Sequence, residues 1–245
     1  MDSKLLTIGQ ASKMVGVSIQ TLRRWDDVGR LPSVRKPKGG HRHYRKEDVE
    51  NYIKSNVKDL FRLAKSWITS DSGIEPRHDF YCSNSSVFQA RLSKLENDLG
   101  RVKEISGIFP LIVAIAGEIG NNSFDHNLGN WPDIPGIFFA YDLKKKEVIL
   151  ADRGQGVLKT LKRIKPELAN HQDALMVAFT EIISGRAPES RGNGLKFVRE
   201  VVVNNEIRLF FQTGDARLKI QKDDSNLDIK KTLTNFRGCL ARIKF

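Results

Sequence analysis

A cluster of polar side chains ends an otherwise apolar segment near the middle of the chain. The run IFPLIVAIAG (108–117) is followed directly by EIGNNSFDH, which holds a carboxylate, amides and a histidine. At about 100° per residue in a helix, Glu118, Asn122 and either Asp125 or His126 fall on one face. We therefore predict that this face lines a ligand pocket.

Two glycine-containing segments further along the chain could complete such a pocket. The first, DRGQG, begins at Asp152, where the apolar strand-like run EVILA ends. Its Gly154 and Gly156 would let the backbone pass close to a ligand. In the second, SRGNGLKFVREVVV, Gly192 and Gly194 precede a helical pattern whose first amide groups could bind an anion.

The net charge of +12 is concentrated at the N-terminus. Residues 1–60 carry a net charge of +6, which makes them about three times as basic per residue as the rest. The segment Arg30–Lys46 contains seven Lys or Arg residues and no acidic residue. This pattern predicts a polyanionic partner, and double-stranded DNA is favoured over a membrane because no amphipathic apolar face accompanies the charge.

Other features narrow the class of protein. The most apolar segment, roughly 105–117, is shorter than the about 20 residues of a bilayer span, and the N-terminus lacks the pattern of a signal peptide. We expect a cytoplasmic protein with no membrane partner. The two cysteines, Cys82 and Cys239, have neither zinc-ligand spacing nor the company of a disulfide framework.

The chain is predicted to contain three parts, at residues 1–56, 57–104 and 105–245. The first part reads as two short helices around Gly16, a hairpin and a third helix, and the middle part as a helical linker. A stripe in that linker is heptad-like, so it could either pack on its own domain or form a dimer seam; it contains Phe88, Leu92, Leu95, Leu99 and Val102.

The combination TLRRW, GRLP and GGHRHYRKEDV within residues 5–55 resembles the MerR-like winged helix-turn-helix DNA-binding family. In that family the second helix enters the major groove and the wing follows the phosphates. The resemblance implies contacts to base edges or nearby backbone from Gln20, Arg23 and Arg24. It implies contacts to phosphate or the minor groove from Lys38, Arg42, His43 and Arg45.

The ordered set of Glu118–Asn122–His126, DRGQG and GNGL resembles the nucleotide-binding domain of the GHKL superfamily, which includes gyrase, heat-shock chaperone ATPases, sensor histidine kinases and MutL. The expected fold is α+β, a small winged helix-turn-helix followed by a Bergerat-type α/β sandwich with a helical layer over a mostly antiparallel sheet. The expected cofactors are ATP and Mg²⁺.

The resemblance also implies roles for single residues. Asn122 would bind Mg²⁺, Glu118 would hold or deprotonate a water as the catalytic residue, and Asp152 would accept a hydrogen bond from adenine, with Gly154 and Gly156 beneath the base. Phosphate contacts are expected from His126, Gly192, Gly194, Leu195 and Lys196, and from the lid residues Arg186 and Arg191. Cys239 stands where relatives often place a threonine near the phosphates, which favours ATP binding over turnover.

These features predict a DNA-binding transcriptional regulator whose ATP-binding or ATPase domain modulates DNA binding or assembly. One alternative is an anti-sigma-type serine/threonine protein kinase that is recruited to DNA and acts on a protein partner. Another is an excisionase-like architectural accessory protein of a mobile element. We expect a homodimer, because helix-turn-helix proteins often read paired half-sites as dimers.

Overall fold

The computed structural model describes residues 5–35, 40–56, 59–71, 73–181 and 194–245. The chain forms two compact units, Met1–Tyr81 and Cys82–Phe245. The segment 57–104, which the sequence predicts as one linker, is thus shared between the two units. Within the described residues, no helix has both the length and the apolar composition that a membrane span requires.

The described residues of the N-terminal unit form four helices and a small antiparallel sheet. The helices are α1 (Ile8–Val15), α2 (Ile19–Asp27), α3 (Lys46–Asn56) and α4 (Leu60–Ile68). The strands are β1 (Leu5–Thr7), β2 (Val34–Arg35) and β3 (Arg42–Arg45), arranged in the order β1-β3-β2. The predicted pair of helices and the hairpin are therefore present.

Local sequence signals define the first two helices. Thr7 caps α1 in a capping box with Gln10, and Gly16 ends the helix with a φ of +75° that a residue with a side chain rarely adopts. Ser18 then caps α2 by accepting a hydrogen bond from the Thr21 N–H at 3.0 Å. Two capped helices joined by a left-handed glycine give the tight turn that the sequence predicts.

The C-terminal unit contains a long sheet and five described helices. The helices are α5 (Ser85–Leu99), α6 (Phe109–Asn127), α7 (Gly156–Leu161), α8 (His171–Thr180) and α9 (Gly194–Val203). The strands are β4 (Tyr81–Cys82), β5 (Ile137–Asp142), β6 (Glu147–Asp152), β7 (Arg208–Thr213), β8 (Ala216–Ile220), β9 (Asp228–Lys231) and β10 (Cys239–Lys244). Apolar runs of the sequence predict five of these strands, β5, β6, β7, β8 and β10, whereas β4 and β9 carry no such pattern.

The order of the seven strands is β4-β5-β6-β10-β7-β8-β9. The last strand, β10, lies between β6 and β7 and is antiparallel to both, with Leu240 opposite Ala151 on one side and Gln212 on the other. This insertion brings the chain's last segment beside the DRGQG turn. The mixed α+β class with a large antiparallel sheet is confirmed.

Helices pack on this sheet through a shared apolar core. Helix α6 contacts β6 and β10, helix α8 contacts β8 and β9, and helix α5 packs on α6. The α5–α6 approach is close, since a Cβ at Gly120 would lie 2.1 Å from Cζ of Phe88. Leu95 and Leu99 are also buried in this core, so the heptad-like stripe packs within its own unit.

Candidate functional site

Helix α2 in the N-terminal unit has one buried and one exposed face. Leu22 and Trp25 are buried, whereas the exposed face carries Gln20, Arg23 and Arg24. These three polar side chains are the ones that the sequence predicts to contact DNA, and none is buried in the unit. Their individual DNA contacts remain predictions.

The strand of the predicted wing is tied to α2 by charged hydrogen bonds. Arg42 donates from Nε to Asp26 Oδ2 at 2.6 Å and from Nη2 to Asp27 Oδ1 at 2.7 Å. The N–H and hydroxyl of Ser33 also donate to the Asp26 carboxylate, at 2.6 and 2.8 Å. Although burial by itself would raise it, these hydrogen bonds hold the pKa of Asp26 below its ordinary value.

This geometry gives Arg42 a positioning role, because its guanidinium joins β3 to the end of α2. Its predicted phosphate contact stays a prediction. On the same strand, Arg45 is exposed and His43 is half-buried, with its Nδ1 3.0 Å from the backbone oxygen of His41. Lys38 lies outside the described residues.

A cavity of about 300 Å³ lies in the C-terminal unit, bordered by α6, α7, α8, α9 and the start of β10. This volume is at the lower end of the range of small-molecule pockets. Six of the predicted site residues line it, namely Asn122, His126, Asp152, Gly156, Gly194 and Leu195. The three separate sequence motifs are therefore brought together in one place.

The most distinctive group in the cavity is the carboxyl of Asp152. The residue is 2% exposed, and its oxygens accept hydrogen bonds from the Gly154 N–H at 2.8 Å and from the Ser123 hydroxyl at 2.9 Å. The backbone N–H and the thiol of Cys239 lie next to the same carboxyl and also favour its charged form. Burial raises the pKa of Asp152 to about 6, against the opposing effect of these hydrogen bonds.

The structure places Cys239 beside this carboxyl. The GHKL resemblance implies a position near the phosphates for this residue. In the structure Cys239 is paired with Thr213 across β10 and β7, and its thiol lies next to the Asp152 carboxyl. Burial and the neighbouring carboxyl raise the pKa of the Cys239 thiol well above its ordinary value. The thiol therefore belongs to the same end of the cavity as Asp152.

The glycines of the DRGQG turn stand where a side chain would collide. A Cβ at Gly154 would lie 2.1 Å from Nδ2 of Asn127, and one at Gly156 would lie 2.9 Å from Oγ1 of Thr213. Gly156 also has a φ of +77°, in the left-handed region that favours glycine. Both positions therefore require glycine, and Gly156 itself lines the cavity.

The start of α9 meets the polar face of α6. A Cβ at Gly194 would lie 2.5 Å from Oε2 of Glu118 and 3.2 Å from Nδ2 of Asn122. Asn122 lines the cavity and Glu118 stands one turn earlier on the same helix, half-buried beside the glycine. The GNGL motif and the Glu118–Asn122 pair, which are separated by about 70 residues in the chain, are thus adjacent.

The other predicted residues have different positions. His126 is exposed and Leu195 half-buried at the edge of the cavity, whereas Lys196 is half-buried on α9 and does not line it. Arg186, Arg191 and Gly192 lie outside the described residues. Asn121 accepts a hydrogen bond from Gln89 Nε2 at 2.7 Å and so faces α5. Among the described residues, no group of three or more His, Cys, Asp or Glu side chains could hold a metal ion.

Several residues that support the cavity were missed by the sequence analysis. Ser123 holds Asp152, and the buried Asn127 accepts a hydrogen bond from the Gln155 N–H at 2.8 Å and donates to the Ser123 carbonyl at 2.8 Å. The two residues are four positions apart on α6, so the helical period places them on one face, about 100° around the helix from Asn122 and His126. No sequence pattern indicates a role for Thr213, because it is distant in sequence from every motif.

An ion-paired cluster fixes the outer side of the DRGQG turn. Arg153 donates from Nε and Nη2 to Asp133 Oδ2 at 3.0 and 2.7 Å, and Arg237 Nη2 donates to the same oxygen at 2.9 Å. Despite the opposing effect of burial, these partners hold the pKa of Asp133 below its ordinary value. Asp133 thus connects the turn after β6 to the turn before β10.

Comparison with known proteins identifies a family for part of the N-terminal unit. Residues 7–44 match the model of the MerR family regulatory protein. These residues form a MerR-family helix-turn-helix DNA-binding domain. The prediction of a MerR-like domain at the N-terminus is confirmed.

Two curated relatives extend the comparison. A 101-residue match at 27% identity covers 38% of this chain and 75% of an uncharacterized HTH-type transcriptional regulator of Haemophilus influenzae. A 46-residue match at 39% identity covers 19% of this chain and 11% of the type II methyltransferase M.Eco47II of Escherichia coli. The chain thus spans only about a tenth of the methyltransferase that it matches.

Substitutions in the MerR-family domain should separate a DNA-reading residue from a positioning one. Arg23→Ala, on the exposed face of α2, should cost roughly 1–3 kcal/mol of binding free energy on a preferred sequence and leave the stability of the unit unchanged. Arg42→Ala should lower both the stability of the unit and its affinity for all sequences, since two carboxylates lose their partner. Fluorescence anisotropy with selected and unrelated duplexes, paired with denaturant unfolding, measures both effects.

An Arg42→Ala protein of normal stability would contradict the positioning role. Equal losses on selected and unrelated duplexes for Arg23→Ala would contradict base reading by Arg23.

Asp152 should make stability depend on pH. Its pKa of about 6 in the fold exceeds the ordinary value of 3.8, so the folded state holds the proton more tightly between these values. This contribution to stability is fully present below pH 3.8 and is lost as the pH rises through about 6, by up to about 3 kcal/mol. Relative to Asp152→Asn, the wild type should therefore lose stability between pH 4 and pH 7 in denaturant titrations of the C-terminal unit. Parallel pH profiles of the two proteins would refute the raised pKa.

Proposed function

We propose that this protein is a DNA-binding transcriptional regulator whose C-terminal unit binds Mg·ATP, and that the nucleotide modulates DNA binding or assembly. The observation that carries the nucleotide proposal is the buried carboxyl of Asp152 in a cavity that also gathers Asn122, Gly156 and Gly194. The DNA-binding half rests on the MerR-family domain.

The Asp152 end of the cavity has the chemistry that an adenine base requires. A buried carboxylate can accept the hydrogen bond of the exocyclic amino group, and the cavity around it offers apolar surface from Ile119, Val157 and Phe211. Gly156 brings backbone, rather than a side chain, to this end. A flat apolar ring with one polar edge therefore fits the residues that are present.

A second set of cavity residues suits a magnesium-bound phosphate chain. Mg²⁺ keeps several of its waters and takes few protein ligands, so the amide oxygen of Asn122 together with phosphate oxygens would suffice. When bound, the ion would neutralise phosphate charge. The N-terminus of α9 begins at Gly194, beside Asn122, and can offer backbone N–H groups to a phosphate.

In this proposal Glu118 transfers a proton and does not bind the nucleotide. It stands one helical turn before Asn122 and beside Gly194, so its carboxylate could hold a water near the phosphate end. A general base in this position would contribute about 10²–10⁴ in rate. In this proposal Glu118 is therefore required for ATP hydrolysis and not for ATP binding.

The architecture agrees with a Bergerat-type GHKL domain. A single antiparallel sheet is packed by helices, and the cavity lies among the helices that carry the three motifs. The order of the motifs along the chain, from Glu118 through DRGQG to GNGL, is the family order. These features support the GHKL proposal for residues 105–245.

Calorimetric titration of the full-length protein with Mg·ATP tests the nucleotide site. We expect wild-type binding, loss of adenine selectivity or of binding in Asp152→Asn, and loss of the Mg²⁺ dependence in Asn122→Ala. Glu118→Ala should bind ATP but not hydrolyse it. No binding to the wild type at millimolar Mg·ATP would refute the site and favour the architectural alternative.

Coupling between the two activities is tested by DNA affinity with and without Mg·ATP. If the nucleotide regulates DNA binding, the dissociation constant for a duplex selected from a random library should change by about 5-fold or more. Asp152→Asn provides the matched control, since its DNA affinity should not respond to nucleotide. Transfer of the γ-phosphate to a protein rather than to water would instead support the kinase alternative.

A further inference from the structure

We propose that Arg163 is a phosphate-binding residue of the cavity, an inference that rests on the proposed binding of ATP. Arg163 follows α7 and lines the cavity. Among the described lining residues it is the one with a guanidinium or ammonium group. ATP brings about four negative charges, and none of the motif residues that line the cavity carries a permanent positive charge.

Two other cations near the cavity are already paired with carboxylates. The buried Arg153 is paired with Asp133, and Lys165 is paired with Glu181. Arg163 differs, because within the described part of the chain its guanidinium pairs with no carboxylate and donates from Nη2 to the neutral amide oxygen of Gln155 at 2.9 Å. Its full charge is thus available to a ligand.

Hydrogen bonds hold Arg163 towards the end of α6 that carries Asn122. The Gln155 side chain that receives the Arg163 hydrogen bond donates from Nε2 to the backbone oxygen of His126 at 3.4 Å. The Gln155 backbone N–H is in turn held by Asn127 Oδ1 at 2.8 Å. His126 is one turn beyond Asn122 on α6, so this chain of contacts connects Arg163 to the predicted magnesium end.

A guanidinium has five N–H donors, of which Gln155 takes one. The remaining donors suit phosphate oxygens, which arginine commonly binds through two parallel hydrogen bonds. The partial fixation by Gln155 also reduces the side-chain entropy that is lost when a ligand is bound. Gln155 therefore acts as a positioning residue for Arg163.

Binding of a ligand series to the full-length protein tests this role. Adenosine, AMP, ADP and a non-hydrolysable ATP analogue would be titrated, with Mg²⁺, into wild type, Arg163→Gln and Arg163→Lys. A charged hydrogen bond predicts that Arg163→Gln weakens binding of the ATP analogue by about 10- to 100-fold and leaves adenosine binding unchanged. Arg163→Lys should recover part of the loss.

Lys159→Gln is the matched control, because it removes one positive charge from α7 at an exposed residue that does not line the cavity. It should bind all four ligands nearly as the wild type does. Equal losses in Arg163→Gln and Lys159→Gln would reduce the effect to general electrostatics and overturn the proposal.

Two further outcomes would also overturn it. If Arg163→Gln weakens adenosine as much as the ATP analogue, Arg163 shapes the cavity and does not bind phosphate. If wild type and Arg163→Gln bind the ATP analogue equally, this inference fails while the proposed function stands. Absence of binding to the wild type would instead defeat both.

Discussion

The hydrogen-bonded carboxyl of Asp152 is the interaction on which the arrangement of the C-terminal unit's cavity depends. Ser123 on α6 and Gly154 in the turn after β6 donate to it, and Cys239 at the start of β10 lies next to it. A buried carboxyl without such donors would cost several kcal/mol. Three segments that are distant in the chain are therefore held at one point by one side chain.

The same carboxyl links structure to ligand binding. Its raised pKa shows that burial outweighs the hydrogen bonds that surround it, so the ionised form is held at a cost in stability. A ligand that donates a further hydrogen bond to Asp152 would relieve part of this cost. A site that is unfavourable when empty and favourable when filled is a common feature of functional pockets.

In the N-terminal unit, ion pairs between a helix and a strand have the corresponding role. Asp26 and Asp27 end α2 and bind Arg42 on β3, so the helix and the hairpin strand are joined by ion pairs, of which the one with Asp26 is partly buried. Arg42 thereby loses the freedom that Arg23 and Arg24 keep on the exposed face of α2. One basic segment thus contains residues that position the domain and residues that face outward.

Local sequence was sufficient to predict many of the helices and strands of this protein. Thr7, Gly16 and Ser18 determine the first two helices through caps that involve only near neighbours, and the apolar runs of β5, β6, β7, β8 and β10 identify these strands. The spacing of Glu118 and Asn122 on one helix face also follows from the helical period. The short strands β4 and β9 escaped detection because two to four residues carry too little pattern.

The tertiary structure alone decided which of these elements meet. The position of β10 between β6 and β7 places Cys239 at Asp152, and the approach of α9 to α6 places Gly194 at Glu118. The roles of Ser123, Asn127, Asp133 and Arg163 depend on such long-range contacts. Periodicity and capping report only interactions within a few residues of the chain, whereas strand order and helix packing are set by the burial of apolar surface across the whole unit.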